Sequence, residues 1–296
     1  MPKYVVAGVT GRVGAGVARE LLSRGARATV IVRDAARGAP WAGRGAELAV
    51  GSLNDVSFLA RTLRGADGVF VLLPENVGEG DFHATRRRMA DAVAEAVSGC
   101  AVHHVAMLSA IAAVLPDGNG PAGDLHYGEH RLRETGATLS ALRACYFQDN
   151  VGGVLTPARL AGIYPNLLPS ADLPFPMIAT RDVGRFAALA LLDPPAASET
   201  VDLLGPAYSI RDVAGRLGVA LGRTLEVVQV PPADRVPMLL GAGVPRQLAE
   251  AVVEMLDAFG AGRIQPSGDR HLTGTTTIDE VIAECVRREG AEEVSA

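Results

Sequence analysis

The feature that most constrains this chain is a glycine-rich segment placed directly after its first apolar run. Residues 4–7 are apolar, and they lead into residues 8–14 (GVTGRVG), where three glycines are spaced three positions apart. From Val13 to Ser23 the apolar residues then follow a helical spacing. A strand, a tight turn and a helix are therefore expected in immediate succession. This arrangement is typical of a site that holds the phosphates of a dinucleotide at a helix N-terminus.

The three glycines of this segment have different expected tasks. Gly8 permits the tight turn, Gly11 lets a pyrophosphate approach the backbone, and Gly14 lets the helix pack closely on the strand. Free N–H groups and the helix dipole favour negative charge at that helix end. We expect dinucleotide binding here, and the alternative is a glycine turn that only joins strand and helix.

The first half of the chain continues with alternating apolar strands and helical segments. Continuous apolar strands separated by helices indicate a parallel sheet that is covered on both faces. Right-handed crossovers then give an α/β, Rossmann-like, doubly wound parallel sheet. Further strands are expected at 28–32, 47–50, 68–73, 101–108 and 138–142, and helices at 56–63, 82–97 and 125–135.

The pattern becomes irregular beyond residue 150, where prolines interrupt it repeatedly. Helices are expected at 182–192, 245–259 and 278–288, and a strand, a helix and a strand within 200–230. We therefore predict a dinucleotide-binding domain over 1–150. A smaller, irregular α/β substrate-binding lobe is predicted over 151–296, interleaved with the first domain around 180–205.

The residues that follow the second predicted strand favour NADP over NAD. An NAD site usually has an acidic residue about 20 positions after the glycines, where it bonds the ribose 2′-hydroxyl. Here Arg33 is the first residue past the strand, and Arg12 lies in the glycine segment. Guanidinium groups pair with phosphate in a planar, bidentate way, which suits a 2′-phosphate. Asp34 is the contrary signal, because its carboxylate could serve a ribose.

Composition excludes several other classes of protein. The net charge of −5 gives no basic face for nucleic acid. Cys100, Cys145 and Cys285 are widely separated, so neither a disulfide framework nor a metal site is expected. No apolar run reaches the length of a membrane span, about 18 residues or more. We expect a cytoplasmic protein, either a monomer or a homodimer, whose partner is a small molecule.

The motif GxTGxxG resembles that of the atypical short-chain dehydrogenase/reductases, and most closely their NmrA-like branch. That branch includes quinone reductases and polyketide-tailoring ketoreductases. The resemblance implies that residues 51–55 lie against adenine, that 72–74 lie under the cofactor, and that 142–150 lead to the nicotinamide end. The predicted NADP-binding residues are Gly8, Thr10, Gly11, Arg12, Val13, Gly14, Arg33, Ser52, Leu53, Leu72, Leu73, Pro74, Ser109, Tyr146 and Phe147.

The usual acid of these enzymes is missing. Their chemistry uses Tyr-x-x-x-Lys, in which tyrosine protonates the alkoxide and lysine lowers the pKa of that tyrosine. Lys3 is the only lysine of this chain, and it lies in the first strand. Tyr127 stands four positions before Arg131, but alignment on the following segment places the family's lysine near Leu125. Arginine is also larger than lysine and its charge is delocalised.

Three residues are candidates for a catalytic role. Ser109, at the end of the fifth strand, could contact nicotinamide or substrate or could simply cap the backbone. Tyr127 is either a proton donor or a packing residue, and His126 could donate a proton near neutral pH. Cys145 has no nearby histidine and is expected in the core. Asn150 either orients substrate or caps the following segment.

The resemblance leaves three functions open. The first is an NADPH-dependent ketoreductase that acts on a ketone of an aromatic polyketide in antibiotic biosynthesis. Lysine-free relatives include ketoreductases of angucyclinone pathways, such as that of simocyclinone, and a phenolic hydroxyl beside the ketone would then assist. The second is a quinone oxidoreductase, since a quinone needs hydride but little acid. The third is a non-catalytic redox sensor that binds NADP and a protein partner.

Overall fold

The computed structural model describes residues 2–74 and 81–295. The strands are β1 Lys3–Val6, β2 Arg27–Val32, β3 Glu47–Val50, β4 Gly68–Val71, β5 His104–Ala110, β6 Thr138–Ala144, β7 Tyr146–Phe147, β8 Ile163–Asn166, β9 Phe175–Ile178, β10 Glu199–Leu204, β11 Ala207–Tyr208, β12 Glu226–Gln229 and β13 Arg270–Thr273. The α-helices are α1 Arg12–Ser23, α2 Ala35–Ala42, α3 Val56–Leu63, α4 Phe82–Gly99, α5 Ala122–Arg133, α6 Leu155–Ala161, α7 Thr180–Leu192, α8 Ile210–Leu221, α9 Pro232–Gly241, α10 Arg246–Gly260 and α11 Ile278–Ser295.

Within the described residues eight strands form one sheet in the order β13-β10-β6-β5-β4-β1-β2-β3, and every neighbouring pair is parallel. From β1 the chain first extends the sheet through β2 and β3, and it then returns to the other side of β1 with β4. This reversal opens a crevice at the carboxyl ends of β1 and β4. The predicted α/β, Rossmann-like, doubly wound parallel sheet is confirmed.

Both faces of the sheet are covered because alternate residues of each strand point to opposite sides. In β1, Val6 packs with α1 and α7, whereas Val5 packs with α3 and α4. In β4, Phe70 belongs to the first of these cores and Val69 to the second. Two hydrophobic layers therefore hold the sheet rigid, and they fix the loops at its carboxyl edge.

The rest of the second half forms a smaller set of elements beside that edge. β7, β9 and β11 make a three-stranded sheet, and β8 pairs with β12. A third hydrophobic core, which includes Tyr164, Leu217 and Ile282, joins these strands to α8 and α11. Helix α10 packs on the segment before α5, where Ala258 contacts the cluster of Ile111 and Ala122.

The structure differs from the sequence prediction at the far edge of the main sheet. Strand β10, which lies in the segment expected to interleave with the first domain, and strand β13, which was not predicted, extend the sheet beyond β6. β13 had no apolar signal because three of its four residues are exposed, and it is held by backbone pairing with β10. Helices α2 and α9 were also not predicted, and both contain an internal proline, Pro40 and Pro237.

Candidate functional site

The glycine turn after β1 has the geometry that its sequence predicts. Gly8 has a φ of +73°, and a Cβ there would lie 2.5 Å from Leu72 Cδ2. A Cβ on Gly14 would lie 2.4 Å from the backbone oxygen of Gly8. A Cβ on Gly11 would have one neighbour, the Gly8 oxygen at 3.4 Å. Gly8 and Gly14 therefore hold strand and helix together, while the backbone at Gly11 remains open to a ligand.

The N-terminus of α1 is also open. Gly11 is its N-cap residue, and among residues 2–74 and 81–295 no side-chain hydrogen bond caps the helix there. Thr10, Gly11 and Arg12 are exposed, whereas Val13 is buried and anchors the first turn. Uncapped N–H groups and the helix dipole favour an anion at such a position. The chain therefore offers a cradle that fits the pyrophosphate of a dinucleotide.

The carboxyl ends of β2 and β3 border the same crevice. Arg33 directly follows β2 and is exposed. The Asp34 side chain accepts a hydrogen bond of 2.9 Å from the Ala36 N–H and caps α2. Arg37, which the sequence analysis did not single out, is exposed in the first turn of that helix. The Asp34 carboxylate is thus engaged in capping α2, and the guanidinium groups of Arg33 and Arg37 lie beside it.

Ser52 and Leu53 follow β3 on this side of the crevice. The Ser52 hydroxyl accepts a hydrogen bond of 3.2 Å from the Asn54 N–H, and Leu53 packs on the second core. Asp55 caps α3 through a bond of 2.9 Å from the Phe58 N–H. These contacts fix the turn at the place where the resemblance locates adenine.

Leu72, Leu73 and Pro74 follow β4 and form the floor of the crevice. Leu72 packs on the first core and touches the glycine turn, while Leu73 is buried in the second core. The backbone oxygen of Leu73 accepts a hydrogen bond of 3.2 Å from Arg86. The end of β4 is therefore held from below by a buried arginine of α4.

Arg12 does not point towards Arg33. Its Nη1 donates to the backbone oxygen of Asp149 at 3.1 Å and pairs with Asp149 Oδ1 at 3.2 Å. Asp149 follows β7, in the segment that the resemblance assigns to the nicotinamide end. A long-range ion pair thus directs the guanidinium away from Arg33 in this structure, and the expectation that Arg12 helps Arg33 at a 2′-phosphate stays a prediction.

Ser109 belongs to a buried polar network. It is 3% exposed, and its hydroxyl donates to Glu129 Oε1 at 2.5 Å. Arg143 clamps the same carboxylate, with Nε at 2.9 Å from Oε1 and Nη2 at 2.7 Å from Oε2. The Ser109 proton is therefore engaged, and only the oxygen lone pairs remain for a ligand.

Tyr127 turns its hydroxyl towards α4. The hydroxyl donates to Asp91 Oδ1 at 2.8 Å, and Arg131 Nε donates to the same oxygen at 2.8 Å. The hydrogen bond to Asp91 raises the pKa of Tyr127 above its ordinary value. A phenol whose proton is held by a carboxylate and whose pKa is raised is a poor acid.

The histidines have structural contacts. His126 Nδ1 lies 2.8 Å from the backbone oxygen of Ala113, and its ring lies 4.7 Å from that of His130. His104 is 2% exposed, and its Nε2 lies 3.0 Å from the Ser140 hydroxyl. Burial lowers the pKa of His104 to about 4, so it is neutral at physiological pH.

Three aromatic rings form a group beside the end of β6, and we call it the aromatic wall. Tyr146 of β7 meets Phe175 of β9 edge to face at 5.5 Å, and Phe175 meets Phe259 of α10 at 5.3 Å. Tyr146 is 38% exposed, although burial among its neighbours raises its pKa and its hydroxyl bonds the Asn150 side chain. Tyr146 is thus the most exposed ring of the wall, since Phe175 is 6% exposed and Phe259 is partly buried.

Cys145 and Phe147, which are neighbours of this wall, are less available to contact a ligand. Burial raises the pKa of the Cys145 thiol to about 12, so this cysteine stays protonated. Phe147 packs on the first core of the main sheet.

In the described parts of the chain, no group of three or more His, Cys, Asp or Glu residues has the geometry to hold a metal ion. None of the helices described there combines the length and the apolar character needed to cross a membrane.

Residues 2–284 match the NmrA-like family. The chain belongs to this family. It is 28% identical over 256 residues to an NAD(P)H azoreductase of Xenophilus azovorans, with 85% of each chain covered. It is 28% identical over 264 residues to a (4-alkanoyl-5-oxo-2,5-dihydrofuran-3-yl)methyl phosphate reductase of Streptomyces griseus, with 87% of each covered. The NADPH-dependent quinone oxidoreductase of Escherichia coli has a similar fold, with a TM-score of 0.78, 19% identity, and coverage of 96% of this chain and 99% of that chain.

Family membership confirms the resemblance that the glycine motif carried. In this NmrA-like protein the fold brings most of the predicted site residues to one edge of the sheet. They are the glycine turn (8–14), Arg33, Ser52, Leu53, Leu72, Leu73, Pro74, Ser109, Tyr146 and Phe147. Tyr127 is directed away from that group by Asp91. The contacts of Asp149, Glu129, Arg143, Phe175 and Phe259 were not predicted from sequence, because their partners lie far away along the chain.

Proposed function

We propose that this NmrA-like protein is an NADPH-dependent ketoreductase that transfers hydride to a ketone of an aromatic polyketide. The coarser statement, that the chain is an NADPH-dependent oxidoreductase, agrees with its family and with the reductases to which it is 28% identical. The ketone and the aromatic polyketide are inferred from the aromatic wall and from the missing acid.

The glycine turn and the N-terminus of α1 would hold the pyrophosphate, and Arg33 would pair with the 2′-phosphate. Leu72 and Leu73 would support the cofactor from below, and the lone pairs of Ser109 would accept a hydrogen bond from it. When bound, the reduced nicotinamide supplies the hydride. The protein's contribution is to fix donor and acceptor in a productive geometry.

The aromatic wall is the observation that carries the substrate class. Only 4% of the residues are aromatic, yet Tyr146, Phe175 and Phe259 meet edge to face beside the end of β6, where the nicotinamide would lie. Aromatic side chains favour flat aromatic partners through offset or edge-to-face contacts. A polycyclic aromatic ketone fits such a wall better than a small aliphatic ketone does.

The missing Tyr–Lys pair determines how the alkoxide would be handled. Ser109 donates its proton to Glu129, and Tyr127 donates to Asp91, so neither proton is free for a substrate oxygen. A ketone with a neighbouring phenolic hydroxyl has an internal hydrogen bond of its own. As hydride adds to the carbonyl carbon, that hydroxyl passes its proton to the carbonyl oxygen. Solvent then reprotonates the phenolate, so the whole reaction consumes one hydride and one proton.

A quinone oxidoreductase is the second candidate. The similar fold of the E. coli quinone oxidoreductase favours it, and a quinone also needs no protein acid because its product is a stabilised phenolate. The aromatic wall fits a quinone as well as a ketone. The two functions therefore differ only in the acceptor group, and a direct assay separates them.

The experiment follows NADPH oxidation with three acceptors under the same conditions. One is a polycyclic ketone with an adjacent phenolic hydroxyl, the second is its methyl ether as matched control, and the third is a simple quinone. We expect the phenolic ketone to be reduced at least about 100-fold faster than its ether, since acid assistance contributes about 10²–10⁴-fold. Equal rates for the phenolic ketone and its ether would show an acid in the protein. Turnover of the quinone alone would establish the second candidate. No NADPH oxidation with any acceptor would favour a redox sensor.

A further inference from the structure

Arg12 is the charged side chain that stands nearest to the proposed pyrophosphate cradle. It is the first residue of α1 and directly follows Gly11, whose backbone is open to a ligand. Its side chain is 42% exposed, and within residues 2–74 and 81–295 its hydrogen bonds both go to Asp149. An exposed guanidinium can change its rotamer without disturbing a core.

Asp149, in contrast, is held firmly from the other side. Its Oδ2 accepts a hydrogen bond of 2.8 Å from the Thr180 N–H, and its Oδ1 accepts one of 2.7 Å from the Thr180 hydroxyl. The carboxylate side chain is only 15% exposed. These bonds tie Asp149 to the start of α7, so the carboxylate stays in place if Arg12 leaves it.

We propose that Asp149 is a built-in competitor for Arg12. Arg12 bonds Asp149 in this structure, and when the dinucleotide binds, the guanidinium would turn to its pyrophosphate. Asp149 would thereby lower cofactor affinity and favour cofactor release. This inference rests on the nucleotide binding that the proposed function contains.

The energies make the exchange feasible. A partly exposed ion pair contributes about 0.2–1 kcal/mol, because water screens the charges and the side chains lose freedom. A pyrophosphate offers several oxygens to a planar guanidinium, and bidentate contacts of this kind are among the stronger hydrogen bonds. The cofactor therefore outcompetes Asp149, but the lost ion pair reduces its net affinity.

The test measures the NADPH dissociation constant in a double-mutant cycle of Arg12→Gln and Asp149→Asn. With Arg12 present, Asp149→Asn should tighten NADPH binding about 1.5- to 5-fold, which corresponds to the free energy of such a pair. In the Arg12→Gln protein, Asp149→Asn should not change NADPH affinity, because no Arg12–Asp149 ion pair remains to be broken. Arg12→Gln alone should weaken binding.

The matched control is Glu47→Gln, which breaks the exposed Arg27–Glu47 pair of 2.9 Å at the opposite, amino-terminal edge of the sheet and should leave NADPH affinity unchanged. Equal tightening by Asp149→Asn with and without Arg12 would reveal a general charge effect and would overturn the proposal. An unchanged affinity in Arg12→Gln would overturn it too, even if Asp149→Asn failed to fold. If the wild-type protein and the control bind no NADPH, the proposed function itself is wrong.

Discussion

Tyr127 illustrates how a spacing match can mislead at the scale of single residues. Tyr127 and Arg131 have the spacing of the family's Tyr–Lys pair, yet both side chains donate to Asp91 Oδ1. Asp91 lies on α4, and Arg87 of the same helix stands over the Tyr127 ring at 5.5 Å. The pair therefore joins α5 to α4 and does not face the crevice.

The first prediction concerns this tyrosine. We expect Tyr127→Phe to retain most of the turnover, since the hydroxyl that it removes donates its hydrogen bond to Asp91. The free energy of unfolding should fall by about 0.5–1.5 kcal/mol, the usual net value of a hydrogen bond. Steady-state kinetics and urea unfolding measure the two quantities. A 100-fold loss of turnover in a folded variant would instead identify Tyr127 as the proton donor.

The second prediction concerns His104, whose pKa is lowered to about 4 by burial. In the unfolded chain a histidine has a pKa of about 6.5, so between pH 6.5 and 4 the unfolded state binds more protons. Stability should therefore be complete above about pH 6.5 and should decline by up to about 3 kcal/mol as the pH falls to about 4. Urea unfolding at several pH values measures this decline.

His104→Gln provides the comparison for that measurement. Glutamine keeps a polar group near Ser140 but takes up no proton in this range. The decline in stability over the same pH interval should be clearly smaller in the variant. An identical decline in both proteins would show that other groups cause it.

At the scale of elements, α1 and α7 cross at a pair of glycines. A Cβ on Gly184 would lie 2.8 Å from Gly16 Cα, so the two backbones touch at this point. Helix α7 begins at Thr180, which holds Asp149, and α1 begins at the pyrophosphate cradle. The close crossing thus sets the distance between the two sides of the crevice.

The third prediction follows from this crossing. Gly184→Ala should destabilise the protein by about 1–3 kcal/mol, as overpacking does when backbone must move, and should weaken NADPH binding. Gly215→Ala is the matched control on α8, because a Cβ there has no neighbour within 4 Å. The control should be neutral or stabilise by up to about 1 kcal/mol through helix propensity. Equal stability of the two variants would contradict the close-contact interpretation.

Elements were predictable from sequence where apolar periodicity is strong. β3 and α3 match their predicted bounds, because an apolar run and an amphipathic segment each stop at a clear turn signal. β13 carries no such signal, since its pairing with β10 supplies the stability that its exposed side chains do not. Helices α2 and α9 were likewise not predicted, because each contains an internal proline.

The candidate site was predictable only in its local parts. The glycine turn and Arg33 are short motifs next to strand ends, and parallel strands bring their carboxyl ends together by topology alone. The Arg12–Asp149 pair spans 137 positions, and the aromatic wall joins β7, β9 and α10. Such contacts depend on the tertiary arrangement, which no local pattern encodes.

At the scale of the whole molecule, the main sheet would bind cofactor and the smaller set of elements would bind substrate. The fourth prediction separates these roles. Phe259→Leu removes the ring that α10 contributes to the wall, and it should raise KM for an aromatic ketone about 2- to 10-fold, which corresponds to the free energy of one aromatic contact. NADPH affinity should not change.

Phe186→Leu is the matched control, because Phe186 lies on α7 in the first core of the main sheet. It should leave KM for the aromatic ketone unaltered even if stability falls. If both variants raised KM alike, the effect would come from general loosening of the protein and the wall would have no role in substrate binding.

The most direct test of the whole account is a fluorescence titration of wild-type protein and Arg33→Ala with NADPH and with NADH. We predict saturable binding of NADPH to the wild type. We also predict that Arg33→Ala weakens NADPH binding at least about tenfold and NADH binding little, since the lost charge-assisted bonds to the 2′-phosphate are worth about 1.5–3 kcal/mol. No binding of either nucleotide by the wild type, or equal losses for both in the variant, would contradict it.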